Sequence, residues 1–263
     1  MTRLDVYLVR EGYFDSRQRA QDAVRAGLVL IDDGVADKPS RPVGPGNTVT
    51  VSRVSVGYVG RGGLKLEKAL DVFDIDVRDK VCLDAGASTG GFTQCLLRRG
   101  AERVYAVDVG HGQLDASLRK DPRVISMEGT DVRDLTLPET VDGAAVDVSF
   151  ISLRQVLPSV IGLVRDKGAV VALIKPQFEA GRSHVGKGGV VKDREVHIRV
   201  LTDVTACCEE NGLAVMGLIP SPIRGRGGNR EYLAYAIKGI RRNAANYDIH
   251  DVVTQSFSKE LSP

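Results

Sequence analysis

The spacing of apolar and polar positions divides the chain into three textures. In residues 1–52, Leu4, Leu8 and Val9 recur at helical spacing before Gly12 and Tyr13 interrupt them. Ser16 then stands where a cap belongs for a second helix, SRQRAQDAVRAG, which sets Ala20, Ala23 and Val24 on one face and stops at Gly27. LVLID reads as a short strand before a DDG turn, and an alternating strand carries Val49 and Val51 after a series of Pro and Gly corners. This predicts a small α+β module. Around residues 53–63, VSVGYVGRGG has four glycines and little periodicity, which marks a linker. The division expected is 1–56, a linker at 57–63, and a second domain over 64–263.

After the amphipathic helix LKLEKALDVFD the texture changes again at Lys80. VCLD, VYAVDVG, VISMEG, AAVDVSF and AVVALIKPQF are apolar runs separated by helical stretches. Continuous apolar strands alternating with helices are the mark of a parallel sheet covered on both faces. The stretch 193–210 sets Val196, Val200, Leu201 and Val204 at helical spacing, and LAVMGLI and YLAYAI form a terminal antiparallel pair joined by SPIRGRGGNRE. The expected fold is therefore Rossmann-like α/β, with a mainly parallel seven-stranded sheet behind the small α+β domain. Residues 241–263 have mixed charge and weak periodicity, compatible with a short helix or an irregular tail.

Composition excludes several classes. The chain has 263 residues, 43% of them hydrophobic and 27% charged, a globular profile. The uncharged runs 85–97 and 211–223 fall well short of the ~20 apolar residues of a spanning helix, and MTRLDVYLVREG has no apolar core for a signal peptide. The cysteines, Cys82, Cys95, Cys207 and Cys208, form no CxxC, so they read as reduced thiols of a cytoplasmic protein and not as a disulfide framework or zinc site. No metal site is expected; Asp74, Asp76 and Asp79 lack the Gly and distant Glu of a calcium loop. Gly181-RSHV-Gly186-Lys187 has P-loop spacing, but Gly188 stands where a Ser or Thr would hold magnesium. The net charge of +2 argues against a nucleic-acid protein. Its distribution reverses that reading: residues 224–242 hold six Lys/Arg and one acid, and residues 182–199 hold five against two. A local basic face built from loops is the sharper expectation.

The candidate chemistry lies at strand ends. Asp84-Ala-Gly86-Ala-Ser88-Thr89-Gly90-Gly91 follows the first strand and opens a helix, where ligands bind in such sheets. It lacks the GxGxxG of a dinucleotide site, and its spacing resembles the first motif of S-adenosylmethionine-dependent methyltransferases; a generic turn is the alternative. Asp108 ends strand two, 24 residues after Asp84, where an acid reaches ribose hydroxyls. Asp131 is read as ending strand three, where an adenine contact is common in this class. Lys65, Asp147, Lys175 and Glu231 fall near a helix start and three strand ends. A lysine directly after VVALI is costly to bury unpaired, and Asp147 and Glu231 are its available partners.

These four residues resemble the K-D-K-E tetrad of FtsJ/RrmJ-like ribose 2′-O-methyltransferases. The phrases YVGRGGLKL, DAGASTGGFT, DVGHGQL, DVSFISL, IKPQFEAGR, GKGGVVKD and NREY resemble the TlyA, or hemolysin A-like, rRNA methyltransferases over nearly the whole chain. Gln94 departs from the acid expected in GGFTD. Ser16-Arg17, Ala20, Ala26-Gly27, Val29 and Lys38-Pro39 resemble an S4 RNA-binding domain. The resemblance implies a class I methyltransferase using S-adenosylmethionine to methylate cytidine 2′-hydroxyls in rRNA of the 30S and/or 50S subunits, with neither membrane nor DNA as partner. It makes Lys175 the general base or an orienting cation, flanked by Lys65, Asp147 and Glu231. Arg10, Arg17, Arg19, Arg25, Arg61, Arg182, Lys187, Lys192, Arg224 and Arg226 are the candidate RNA contacts; for those in the N-terminal helices a solvated face is the alternative, since Glu11, Asp15 and Asp22 interleave. Arg230 shares the last of these basic loops. Tyr58 and Phe178 are candidate stacking residues, with packing as their alternative. The linker would couple RNA docking to completion of the cofactor site. Three competing readings are a non-catalytic S4-containing ribosome-binding or assembly factor that senses S-adenosylmethionine, a Rossmann oxidoreductase and a membrane-lytic protein.

Overall fold

The computed structural model describes residues 1–14, 17–25, 29–32, 34–36, 38–51, 58–240 and 247–258. The expected cap Ser16, the stop Gly27 and Gly57, the first residue of the expected linker, lie outside them. The N-terminal domain runs β1 (Thr2–Arg3), α1 (Leu4–Arg10), α2 (Arg17–Arg25), β2 (Val29–Ile31), β3 (Gly34–Val35), β4 (Pro42–Val43) and β5 (Val49–Val51). β2 is the centre of an antiparallel sheet with Val29 opposite Val51 and Ile31 opposite Val49. Leu4, Leu8, Ala20, Val24, Val29 and Ile31 belong to a core of its own. Asp5 is buried beneath the helices and accepts from Arg3, Arg17 and Gln21. The Arg3 guanidinium beside it, with help from Arg17 and Gln21, holds its carboxyl well below the usual range.

The second domain runs α3 (Gly62–Val72), β6 (Val81–Ala85), α4 (Gly91–Arg98), β7 (Arg103–Asp108), α5 (Ala116–Arg119), β8 (Val124–Glu128), β9 (Val141–Val146), α6 (Leu153–Leu163), β10 (Val164–Ile174), α7 (Pro176–Glu179), α8 (Arg194–Glu210), β11 (Leu213–Pro220), β12 (Tyr232–Lys238) and α9 (Ile249–Ser258). Among the described residues the sheet has seven strands in the order β11-β12-β10-β9-β6-β7-β8. β8, β7, β6, β9 and β10 are parallel; β12 is antiparallel to both its neighbours. Alternate residues face two cores. Val81, Leu83 and Ala85 pack toward α6, α8 and α9, whereas Cys82 packs toward α3 and α4. The parallel strands all end on one side, and antiparallel β12 starts there, with Ile174 opposite Tyr232. Asp147, Lys175 and Glu231 are each one residue outside a strand at this common edge.

The structure sharpens three boundaries. α3 begins at Gly62, inside the expected linker, because the segment before it is fastened to the sheet domain: the Val59 amide donates to Gln94 Oε1 (2.7 Å) and the Tyr58 hydroxyl to Glu67 (2.9 Å). β10 begins at Val164, five residues before the apolar run, and its pairing with β9 shifts register between Val164 and Ala169. The tail forms α9, whose Phe257 sits edge-on to His197 (5.2 Å) and against the Arg230 guanidinium (4.0 Å).

His197 is fully buried. Its Nε2 faces the Val191 carbonyl (3.0 Å), which only accepts, so Nε2 carries the proton and Nδ1 accepts from the Tyr232 hydroxyl (2.9 Å). Burial lowers the His197 pKa from its ordinary 6.5. The unfolded chain therefore binds a proton that the folded chain refuses, and this network's stabilisation, complete above 6.5, declines as pH falls toward the folded value. Asp84 acts in the opposite sense: burial raises its carboxyl to about 7, so acidification below that relieves a cost. The difference between wild type and His197→Gln isolates the histidine. We expect a gap of about 1–3 kcal/mol at neutral pH that narrows by about pH 5.5, measured by urea unfolding. A gap independent of pH would contradict this.

Candidate active site

The glycine loop joins β6 to α4. Asp84 Oδ2 accepts from the Thr93 amide (2.8 Å) and hydroxyl (2.6 Å), while its Oδ1 is buried without a hydrogen-bond partner. Gly86 has φ +90°, and a Cβ there would lie 2.6 Å from the Asp147 carbonyl oxygen; only glycine lets the loops after β6 and β9 approach so closely. The Ser88 amide donates to Asp108 Oδ2 (2.8 Å) and the Gly110 amide to Oδ1 (2.7 Å), so Asp108 ties the loop after β6 to the loop after β7. The Thr89 carbonyl accepts from the Asp115 amide. Gly90, with φ +94°, is the N-cap of α4, and Gly91 begins it. The N-terminus of α4, whose N-cap Gly90 offers no side chain, faces a carboxylate favourably. The unpartnered Asp84 oxygen and the glycine cradle fit S-adenosylmethionine, which carries both an ammonium and a carboxylate. Asp131 stands apart. It lies three residues beyond β8, caps a short 3-10 turn and pairs through both oxygens with Arg133. The last residue of β8, Glu128, accepts from the Gln113 and Leu114 amides instead.

The four tetrad residues meet at the common strand edge as two ion pairs. Lys65 Nζ is 2.5 Å from Glu231 Oε2, with both side chains at most 10% exposed. Lys175 Nζ is 2.5 Å from Asp147 Oδ1, and it also donates to the Val148 carbonyl (2.9 Å) and the Ser149 hydroxyl (2.8 Å). The pairs touch through neighbours. Gly62, on the first turn of α3 with Lys65, lies against Asp147, since a Cβ there would be 3.6 Å from Oδ2. Gln177, two residues after Lys175, points its amide at Glu231 Oε1 at 3.5 Å. Segment 58–61 also reaches this site, because a Cβ on Gly60 would lie 2.5 Å from Thr89 Oγ1.

The candidate RNA residues divide. Arg182, Lys187 and Lys192 are exposed on the loops after α7. Arg17 is half-exposed although paired with Asp5, and Arg10 pairs with Glu11 at the surface. Arg224 is half-buried and bonds the Gly228 carbonyl. Arg230 turns toward α9, donating to the Ser256 carbonyl (3.0 Å). Arg61 departs from the expected surface role: its guanidinium donates to the Arg224 carbonyl (2.6 Å), bracing the loop before β12. The side chains of Arg19, Arg25 and Arg226 lie outside the described residues. Tyr58 packs on Gly63 and under Arg98.

Sequence reasoning missed Phe150. It is 86% exposed with φ +65°, and its ring is 5.1 Å from that of Phe178. Both border an open cavity of about 930 Å³ with Gln155, Gln177 and Arg182. Phe150, Ser149 and Gln177 were within the phrases DVSFISL and IKPQFE, but apolar patterning gives no sign that a Phe faces outward. Among the described residues no group of His, Cys, Asp and Glu could hold a metal, all four cysteines are buried and free, and no helix is long and apolar enough to cross a membrane.

Comparison with known proteins agrees with this geometry. The FtsJ-like methyltransferase model matches residues 58–238 and the S4 domain model residues 2–49. The chain is 43% identical to the 16S/23S rRNA (cytidine-2′-O)-methyltransferase TlyA of Mycobacterium tuberculosis, over 98% of this chain and 97% of that protein. It is 39% identical to the 23S rRNA (cytidine-2′-O)-methyltransferase TlyA of Campylobacter jejuni, over 69% of this chain and 71% of that one. A solved structure from Streptococcus thermophilus, named for hemolysins, superposes with a TM-score of 0.76 at 43% identity, covering 97% and 95% of the two chains. An S4 domain followed by a complete FtsJ-like sheet, with both lysine–carboxylate pairs at its edge, places this chain in the TlyA family of S-adenosylmethionine-dependent methyltransferases.

Proposed function

We propose that this protein methylates a ribose 2′-hydroxyl of rRNA, a cytidine in the 16S and/or 23S RNA, within ribosomal subunits. The observation that carries the reading is the pair of buried lysine–carboxylate bridges beside the glycine loop. S-adenosylmethionine, when bound, supplies an electrophilic methyl on a sulfonium. The chain's residues supply position and charge. Asp147 lies in ion-pair contact with Lys175, whose Nζ also reaches the Val148 carbonyl and the Ser149 hydroxyl. This favours Lys175 as the cation that orients the hydroxyl and stabilises negative charge developing on its oxygen. Ser149 is an exposed residue, so its hydroxyl is the partner that an incoming ribose displaces. Lys65 and Glu231, bridged by Gln177 to the Lys175 segment, fix the second wall.

The exposed Phe150 against Phe178 is a stacking platform for a base turned out of its helix. Arg182, Lys187 and Lys192 supply phosphate contacts nearby, and the N-terminal domain, with Arg10, Arg17, Arg19 and Arg25, supplies a second RNA surface. Arg224 and Arg226 belong to the loop braced by Arg61.

Incubation with methyl-labelled S-adenosylmethionine and separated subunits tests the reading. Label is expected in the RNA, with the phosphodiester beside it resistant to alkali. Unlabelled RNA from both subunits, or label at alkali-cleavable sites, would overturn it. In the same assay Lys175→Ala is expected to lower turnover by about 10³-fold or more while cofactor affinity stays within about twofold. Phe150→Ala should cost about 5- to 100-fold in kcat/KM for RNA, the worth of one stacked base, and calorimetry should show cofactor binding unchanged.

A further inference from the structure

Glu179 is a buried acid without a part in the chemistry described above. It ends the four-residue α7, and its side chain is 3% exposed. Oε1 accepts from the Leu153 amide (2.7 Å) and Oε2 from the Ser152 hydroxyl (2.5 Å), with Arg154 at 4.0 Å. Both donors belong to the start of α6. That helix already has a local cap, since Ser152 Oγ accepts from the Arg154 amide (3.2 Å). A second acceptor from 26 residues away exceeds what forming the helix requires.

Its place in the site gives it a purpose. Residues 147–152 and 175–179 run side by side and are joined twice. At one end Lys175 bonds Asp147, Val148 and Ser149. At the other, Glu179 bonds Ser152 and Leu153. Phe150 and Phe178 lie between the two joints with their rings in contact. Phe150 holds a left-handed backbone, φ +65°, a conformation that persists only where the surroundings fix it.

We propose that Glu179 is a positioning residue for methyl transfer, a latch that fixes residues 147–152 against residues 175–179 and so sets both the Phe150–Phe178 platform and the register of Lys175 on Asp147. The proposal rests on the methyltransferase reading. Glu179→Ala leaves the Ser152 hydroxyl and Leu153 amide without their acceptor. Glu179→Gln keeps an oxygen for Leu153 and offers its amide to Ser152 Oγ, preserving the latch.

The test compares these two variants with the wild type in RNA methylation, cofactor calorimetry and amide hydrogen exchange. Glu179→Ala is expected to lose about 10- to 100-fold in kcat/KM for RNA, the cost of a small misplacement at a reacting centre. Its cofactor affinity should stay within about twofold, and faster exchange should be confined to residues 147–153. Glu179→Gln should restore most of the activity and the exchange protection. Wild-type turnover in Glu179→Ala would overturn the proposal. So would loss of cofactor binding together with protection throughout the sheet, which would make Glu179 an ordinary fold residue. If the wild type does not methylate RNA, the reading beneath the proposal fails, and the exchange data still decide whether the latch exists.

Discussion

Two lysine ammonium groups sit almost wholly out of water at the edge of an apolar sheet, and each requires a carboxylate close enough to offset its desolvation. Lys65 and Lys175 are each 8% exposed. Much of the architecture follows from that demand. Strands β9 and β10 must be parallel neighbours for Asp147 and Lys175 to leave the sheet side by side. β12 must run antiparallel for its amino end, and so Glu231, to arrive at the same edge. α3 must start early enough for Lys65 to reach Glu231, and the segment before it is fastened by Gln94 at Val59 and by Glu67 at Tyr58. Glycine is needed where the loops crowd: a Cβ on Gly225 would lie 1.9 Å from Glu231 Oε1.

The same crowding creates the electrostatic setting. Lys175 is held by Asp147, Val148 and the exposed Ser149, and in the proposed reaction an incoming ribose would meet it as a fixed cation. Asp84, also at this edge, keeps one oxygen unpartnered, and burial raises its carboxyl to about 7. An orphaned buried acid is costly for a protein with no ligand to complete it.

Much of this was legible in the sequence. Period-2 and apolar-run patterning gave the strands, and the strand-end placement of Asp84, Asp108, Asp147, Lys175 and Glu231 followed from them. Contacts between distant segments were not legible. Arg61 stands in a Gly-rich basic stretch that looks solvated, yet the Arg224 carbonyl, 163 residues away, turns it inward. Asp131 was expected at a strand end, but β8 stops at Glu128 and Arg133 captures the Asp131 carboxylate locally. Phe150 and Glu179 break the usual rule, an aromatic outside and an acid inside. Such reversals are readable only once the two loops are seen packed together.

The two lysine–carboxylate pairs, linked through Gly62 and Gln177, should act in methyl transfer as one electrostatic unit. A double-mutant cycle tests it most directly, with Lys65→Ala and Asp147→Asn taken from different pairs and single-turnover methyl transfer to RNA as the readout. If the pairs form one unit, the double variant should be little slower than the slower single variant, because either change already disables the whole. Rate losses that multiply, each variant's factor preserved in the presence of the other, would show two independent bridges and contradict the account.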